Sequence, residues 1–472
     1  MPIIVVSDKN NKCILLDTKI NGSLYDNRVM KLRIDERTKT TISFLMNASM
    51  ILVLSVVFYF IWMEYFHFWA YFFFWGNIGI TVLYAVLLIL FNRVFGGFQI
   101  GYATTGDLIF SHIIALFFSN TVLYILAVIV ARYVVPARPF IIYFLAEVLI
   151  AVVLNVINNK IYYNIFPPRK TLLIYEQEDP TIVKRIEMYQ GNSYKIEKQM
   201  KFSLALNNFN DLNQYQSIVA VGLTPNQKSQ LAHACFEKQK SLYIVPDIYD
   251  VFMNNATNVY LVDTPVYRLA NYGPSQLEKV VKRVFDIFFS MVLLVLLSPL
   301  ILLTAIIIKL QDGGPVFYKQ KRLTQFGKVF EIIKFRSMKV DAEKDGVARL
   351  ASEHDDRITP FGRLIRSCRI DELPQLINIL VGDMSVVGPR PERPELVEKI
   401  LEEVPEFNYR LNVKAGLTGY AQVYGKYNTK LRDKLLFDLM YIQNYSIMLD
   451  IRIMFLTFKI LFKKDSTEGV ED

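Results

Sequence analysis

The sequence predicts three parts. They are an α-helical membrane domain of four N-terminal spans, a small α/β domain of Rossmann-like layout, and an α-rich C-terminal domain entered through a re-entrant membrane helix. Three observations lead there. Apolar residues make up 53% of the 472 residues, a larger share than soluble domains carry. They gather in five long runs rather than spreading along the chain. Between and after those runs the texture changes, first to alternating short β-like and helical stretches, then to a segment dense in Arg, Lys, Gly and Pro. The divisions fall at 1–41 (an N-terminal tail), 42–165 (the spans), 171–265 (the α/β domain) and 278–465 (the C-terminal domain).

The tail is polar, so no cleavable signal peptide is expected. Four apolar runs follow at 42–62, 73–91, 109–130 and 140–157, each near the ~20 residues that a spanning helix needs. The fourth is short and carries Glu147. Sidedness follows from Lys and Arg. The tail holds Lys9, Lys12, Lys19, Arg28, Lys31, Arg33, Arg37 and Lys39, whereas the loop 63–72 holds none and is crowded with Tyr65, Phe66, Phe68, Trp69 and Tyr71. That places the N-terminus inside and the first loop outside. Lys160, Arg169 and Lys170 put the end of the fourth run inside again, although Arg132 and Arg138 sit in a loop expected outside.

In the α/β region, Thr171–Tyr175, Ser217–Gly222 and Ser241–Pro246 read as strands and Asn226–Gln239 as a helix, which suggests a parallel sheet. A dinucleotide site needs a Gly-rich turn after the first strand. Here that turn is Glu176-Gln177-Glu178-Asp179-Pro180, without glycine and negatively charged, so a scaffold or interaction role is expected. Cys13, Cys235 and Cys368 have no paired spacing, which argues against a disulfide framework or a zinc site and fits a reducing compartment.

The fifth apolar run, 284–308, is long enough to cross, but three features oppose this. Ser298-Pro299 sits near its middle, and proline removes a backbone donor. Lys279, Lys282 and Arg283 precede it while Lys309, Lys319, Lys321 and Arg322 follow it, which assigns both ends to the cytoplasm. Asp286 lies one turn inside. A helix–break–helix that enters one leaflet and returns satisfies all three, provided protein surrounds the break. A kinked spanning helix is the alternative.

From 315 to 425 the cations lie among Gly, Pro and apolar residues, unlike a solvated helix face. The stretches read GPVFYKQKR, KFRSM, RITPFGRLIR, IDELPQL and GDMSVVGPRP. Lys334, Arg336, Arg363, Arg366 and Arg390 suit phosphate oxygens. Asp371 and Glu372 follow Arg366. Neighbours on a helix point about 100° apart, so a shared acid/base dyad is not expected. One carboxylate can attack while the other holds Mg²⁺ together with substrate phosphates. Alone, the pair would read as a dipole-stabilised helix start.

These motifs, in this order, resemble the bacterial sugar transferases, the polyprenyl-phosphate hexose-1-phosphate transferases also called monotopic phosphoglycosyl transferases. The resemblance covers about 278–462 and includes KRVFD, the Ser298-Pro299 break, IDELPQ, GDMSVVGPRP, a Gly-Leu-Thr-Gly segment and a closing run of Asp438, Tyr441, Ser446 and Asp450. The spans and α/β domain look like the large subclass that initiates capsule, exopolysaccharide or O-antigen synthesis. The resemblance implies that Asp371 attacks the β-phosphate of a UDP-sugar. UMP leaves, and a covalent phospho-sugar passes to undecaprenyl phosphate. Glu372 matches the acid associated with Mg²⁺. Arg366 and Arg390 match phosphate-binding residues, with Lys334, Arg336 and Arg322 as further candidates and Asp438 and Asp450 in support. The enzyme would act at the cytoplasmic face of the bacterial inner membrane. Ile370 and Ala415 depart from the usual Leu and Pro, and Ala415 leaves the local loop shape open. Ile451–Phe462, apolar with Arg452 and Lys459, reads as an interfacial helix.

Other readings are a lipid-phosphate hydrolase using the same Asp, and a non-enzymatic scaffold that binds polysaccharide-assembly proteins. A site between the early spans is disfavoured by their few acids. The net charge of +9 fits anionic lipid or phosphorylated substrate, and nucleic acid is disfavoured because the basic residues hug apolar segments. The sugar is unread, with glucose and galactose favoured and specificity placed in 340–360 and 395–435. The spans and α/β domain could support a homodimer.

Overall fold

The structure, a computed structural model, describes residues 6–7, 13–14, 36–66, 74–176, 180–207, 209–269, 273–340, 355–425 and 429–461. The rest of the basic tail before 36, the aromatic positions Phe68, Trp69 and Tyr71, residues 177–179 of the first β/α turn and most of 340–360 lie outside them.

Helices α1 (Glu36–Ile61), α2 (Phe74–Phe95), α3 (Thr105–Ala131) and α4 (Ala137–Ile165) coincide with the first four apolar runs. Each is longer than its run. Hydropathy marks only the part suited to hydrocarbon, while polar residues such as Asn158, Asn159 and Lys160 continue the helix beyond it. The helices pack on one another through Phe58, Tyr84, Leu88, Leu116, Leu123 and Tyr143. Glu147 is completely buried inside this bundle. Its carboxylate accepts the hydroxyls of Tyr84 and Tyr143, and the Asn120 amide at 2.5 Å. Three donors from α2, α3 and α4 make an acid tolerable where lipid alone would not.

The α/β unit contains β1 (Arg169–Tyr175), α5 (Pro180–Gln190), β2 (Tyr194–Lys201), β3 (Ser217–Val221), α6 (Pro225–Glu237), β4 (Ser241–Ile244) and α7 (Ile248–Asn254). The four strands are parallel in the order β2-β1-β3-β4. The inner strands β1 and β3 bury Leu172, Leu173, Ile174 and Ile218 on both faces, as continuous apolar strands should. Strand β2 was not foreseen. It is an edge strand whose lysines disguise it as a polar loop.

Helix α8 (Gln276–Asp312) is 37 residues long, about 55 Å. It is capped by a Ser275/Glu278 box and ends at Gly313 with φ 68°. With it, five helices among the described residues are long and apolar enough to cross a membrane. The expected break at Ser298-Pro299 is not an interruption, because the helix runs through it. The physical reason is local. Pro299 has no N–H to give to the Val295 carbonyl, and the Ser298 hydroxyl donates to that carbonyl instead, at 2.8 Å.

Both flanks of α8 pack on the C-terminal domain. Near its start, Arg283 caps the carbonyls of Ile379 and Leu380 at 2.5 and 2.6 Å. Lys282 pairs with Asp450 at 2.5 Å, and Asp286 accepts from Ser385 and from the Val386 amide. Near its end, Ile301, Ala305 and Ile308 meet Phe335 and Ile365. Between these flanks Met291, Val295, Leu296, Leu302 and Leu303 are exposed.

The rest of the domain is an antiparallel hairpin, β5 (Phe317–Leu323) with β6 (Val329–Phe335), then α9 (Pro360–Ser367), α10 (Gln375–Val381), β7 (Ser385–Val387), α11 (Pro394–Glu403), β8 (Gly416–Thr418), α12 (Leu431–Gln443) and α13 (Ile447–Leu461). Strands β7 and β8 are a parallel pair. Helix α13, expected as an interfacial helix, is packed on both sides. Ile453 enters the domain core, while Phe455 and Phe458 meet Phe91, Phe95 and Phe118 of the bundle.

The ion pair at the start of α8 is testable. Asp450 and Lys282 have side chains 2% and 12% exposed. Lys282→Met leaves a buried carboxylate with only the Tyr441 hydroxyl, and a loss of about 3 kcal/mol is expected, read as a lower Tm in detergent. Adding Asp450→Asn should recover part of it; a double variant as unstable as the single would remove the ion pair as the cause.

Candidate active site

The centre of the C-terminal domain is built by three separate segments. The first is β6. Its even residues Phe330 and Ile332 are buried, and period-two alternation sends Lys334 to the same inner side. The second is a 3₁₀ turn at Ile370–Glu372, entered through Arg369 in the left-handed region at φ 53° and continued by Pro374 into α10. The third is the loop after β7, Gly388-Pro389-Arg390-Pro391.

These segments meet at Glu372. Its Oε1 accepts from Lys334 Nζ at 3.0 Å and from Arg390 Nη2 at 2.9 Å. Burial alone would raise this carboxyl. Arg390, Lys334 and Arg369 overcome it and hold Glu372 far below the usual range, fixed as a carboxylate. Glu372 in turn raises the Arg390 guanidinium. Asp371, one residue earlier, points elsewhere and makes no hydrogen bond or ion pair among the described residues. Burial and then the Glu372 charge push it up to about 6, against the pull of Lys334, Arg366 and Arg390. One acid is clamped and the other is left basic and available.

The Arg390 loop is held from behind. Arg322 donates to the Pro391 carbonyl at 3.0 Å and faces Glu392 at 3.7 Å. Arg410, buried, donates to the Arg390 carbonyl at 2.9 Å and pairs with Asp438 at 2.8 Å. The loop also touches the Gly-Leu-Thr-Gly segment backbone to backbone. Gly388 N donates to Thr418 O at 2.8 Å and Gly416 N to Pro389 O at 2.9 Å. A Cβ on Gly388 would lie 2.3 Å from the Lys414 carbonyl, so only glycine permits this approach. Ala415 has a use here too: its N–H donates to Thr324 Oγ1 at 3.2 Å, which a proline could not do.

Asp371, Glu372, Lys334 and Arg390 are therefore together, with Arg366 near enough to act on Asp371. Arg322 and Asp438 stand behind the loop. Arg336 is tied to Asp312 at the end of α8, and Asp450 lies at the start of α8. The sequence reading gives no role to Arg410 or Arg369, and it takes Lys282 and Arg283 only as basic flanks of the fifth apolar run. Isolated basic residues inside otherwise apolar stretches are the only signal they leave. Among the described residues no group of three or more His, Cys, Asp or Glu could hold a metal. Asp371 and the Glu372 oxygen not taken by the cations remain, a donor set that suits Mg²⁺ only when substrate phosphates complete it.

The electrostatics predict opposite effects for two similar substitutions. Asp371 binds its proton more tightly folded (about 6) than unfolded (3.8), so its ionisation opposes folding above pH 6. Asp371→Asn should stabilise the protein at pH 7.5 by roughly 1 to 2 kcal/mol, with the gain fading below pH 4. Glu372 is depressed, so its contribution is present above its unfolded value of 4.5 and lost as pH falls. Glu372→Gln should lower Tm at pH 7.5 by stranding Lys334 and Arg390. Two shifts of the same sign would reject this division.

Residues 277–464 match the family described as bacterial sugar transferase. The chain is 41% identical over 197 residues to the UDP-N-acetylgalactosamine-undecaprenyl-phosphate N-acetylgalactosaminephosphotransferase of Aeromonas hydrophila, covering 41% of this chain and 46% of that one. It is 36% identical over 233 residues to the UDP-glucose:undecaprenyl-phosphate glucose-1-phosphate transferase of Escherichia coli K12, covering 48% and 50%. Against an exopolysaccharide production protein of Rhizobium leguminosarum it is 42% identical over 188 residues, 38% of this chain and 94% of that protein. The chain spans about half the length of the first two relatives. The family match runs from α8 to the end of α13 and encloses every residue of the site above, so the chain belongs to the bacterial sugar transferase family.

Proposed function

We propose that this protein transfers a hexose-1-phosphate from a UDP-sugar to undecaprenyl phosphate, starting a capsule, exopolysaccharide or O-antigen chain. The observation that carries this is the contrast between the two acids: Glu372 clamped by Lys334 and Arg390, Asp371 unpaired beside the same cations. Relatives named as undecaprenyl-phosphate sugar phosphotransferases support the substrate pair.

In the proposed reaction a carboxylate oxygen of Asp371 attacks the β-phosphorus. The bond from that phosphorus to the bridging oxygen breaks, and UMP leaves with that oxygen. The sugar phosphate remains on Asp371 as an acyl phosphate. A phosphate oxygen of the polyprenol then attacks the same phosphorus, and Asp371 departs as a carboxylate. Lys334, Arg390 and Arg366 offset the charge of the diphosphate, which would otherwise repel Asp371. Mg²⁺, held by Asp371 and Glu372 with the donor's phosphate oxygens, would supply further charge neutralisation there.

The finer architecture belongs to the same proposal. Helices α1 to α4 span the inner membrane, the α/β unit is a Rossmann-like scaffold without a nucleotide, and the catalytic domain faces the cytoplasm. Helix α8, helical throughout, kinks at Pro299, so that it enters one leaflet and returns. In support, both its flanks pack on the same domain and both are basic, whereas a straight 37-residue crossing would part them.

Four results are expected. With Mg²⁺ and undecaprenyl phosphate, a screen of UDP-glucose, UDP-galactose and UDP-N-acetylgalactosamine should release UMP and yield a polyprenyl diphosphosugar; free sugar phosphate as the product would favour a hydrolase. Asp371→Asn should reduce release by roughly 10³-fold or more, and full retained activity would sink the nucleophile assignment. For the native protein kcat/KM should rise with pH through about 6 as Asp371 ionises. Cysteine labelling just after residue 309 should occur from the cytoplasmic side, and strong outside labelling would rule out the returning helix.

A further inference from the structure

We infer that helix α13 carries the position of the membrane bundle to Arg390, with Thr457 and Thr418 as positioning residues and Lys459 as the latch. The inference rests on the transferase reading above, since it concerns how that site is held. One face of α13 is fixed to the bundle. Lys459 Nζ donates to the Phe95 carbonyl at 3.1 Å, where α2 ends, and to Ser111 Oγ on α3 at 2.6 Å. Phe455 lies 5.2 Å from Phe118 and 5.6 Å from Phe95, ring centre to ring centre, and Phe458 lies 5.5 Å from Phe118. A charged ammonium and two aromatic rings set both the depth and the rotation of α13 on α2 and α3.

The opposite face reaches the catalytic loop in three steps. Thr457 Oγ1 donates to the Ile453 carbonyl at 2.8 Å, within its own helix. That uses its only proton, so the 2.5 Å contact to Thr418 is a bond donated by the Thr418 hydroxyl. Thr418 is 6% exposed, so water does not compete for the bond. The Thr418 carbonyl accepts from Gly388 N, and Gly416 N donates to Pro389 O. The next residue is Arg390, on Glu372. Glycine-only contacts at Gly388 and Gly416 leave this stretch no room to absorb a shift by bending. A displacement of α13 therefore arrives at Arg390 rather than dissipating in side chains.

The full chain in lipid nanodiscs provides the test. Amide exchange at Gly388 reads the coupling without turnover, and UMP release reads its effect on the reaction. Thr457→Val removes the acceptor at nearly constant shape. A faster exchange at Gly388 and an about five- to tenfold fall in kcat/KM for the UDP-sugar are expected. Thr457→Ser should restore both, and a defect that persists in the Ser variant would assign the effect to packing and overturn the inference. Lys459→Met should act through the same contact, so the double variant with Thr457→Val should be no worse than Thr457→Val alone. Additive effects, or Gly388 exchange unchanged in both single variants, would overturn it. Should the native chain release UMP from no UDP-sugar, the transferase reading fails while the exchange experiment still decides the coupling.

Discussion

The centre of this protein depends on one buried carboxylate shared by two cations. Glu372 is 8% exposed, and a charge so placed is tolerable only when it is paired and hydrogen-bonded. Lys334 and Arg390 meet that demand, and each comes from a different part of the chain. The contact fixes the β5–β6 hairpin, the turn after α9 and the loop after β7 relative to one another. The same contact determines the character of the neighbouring acid. Because Glu372 absorbs the nearest cations, Asp371 feels burial and a like charge more than attraction. Two adjacent acids, about 120° apart around one 3₁₀ turn, thus end with opposite tendencies.

The cations divide accordingly. Lys334 and Arg390 touch Glu372, and Arg366 acts on Asp371 from the last turn of α9. Arg322 and Arg410 face backbone carbonyls of the Arg390 loop and keep it in place. Arg336, Arg283 and Lys282 bind the long helix to the domain. A segment that reads in sequence as one undifferentiated basic cluster is, in space, a small set of charges at the acids surrounded by charges that hold the frame.

This explains what was legible beforehand and what was not. Helices long and apolar enough to cross a bilayer have a characteristic length and composition, so α1 to α4 are visible as runs, though their polar ends are not. The acids, Lys334 and Arg390 were visible because cations among Gly, Pro and apolar residues break the pattern of a solvated surface. Arg410 was invisible because its partner, Asp438, lies 28 positions away, and the partner of Lys282 lies 168 away. The β5–β6 hairpin was hidden by the same Lys and Arg that made its segment conspicuous. Ser298-Pro299 was read as a break because the rule for proline counts the lost donor. It does not count the serine hydroxyl one residue earlier that replaces it.

The arrangement also bears on why, in the proposed reaction, the attacking acid is the less stabilised of the two. A carboxylate held as Glu372 is held has one oxygen committed to Lys334 and Arg390, and its low basicity makes a weak nucleophile. A fully solvated Asp is ionised but must shed water before it can reach phosphorus. Asp371 lies between these limits. Pushed up to about 6, it is ionised at neutral pH yet more basic than an ordinary aspartate, and among the described residues it holds no hydrogen bond that must first break. The instability is local, and the frame of Glu372, the Arg390 loop and α8 resists it. In the proposed reaction attack converts the Asp371 carboxylate into an acyl phosphate and moves the negative charge onto the phosphoryl oxygens, where Lys334, Arg390 and Arg366 offset it.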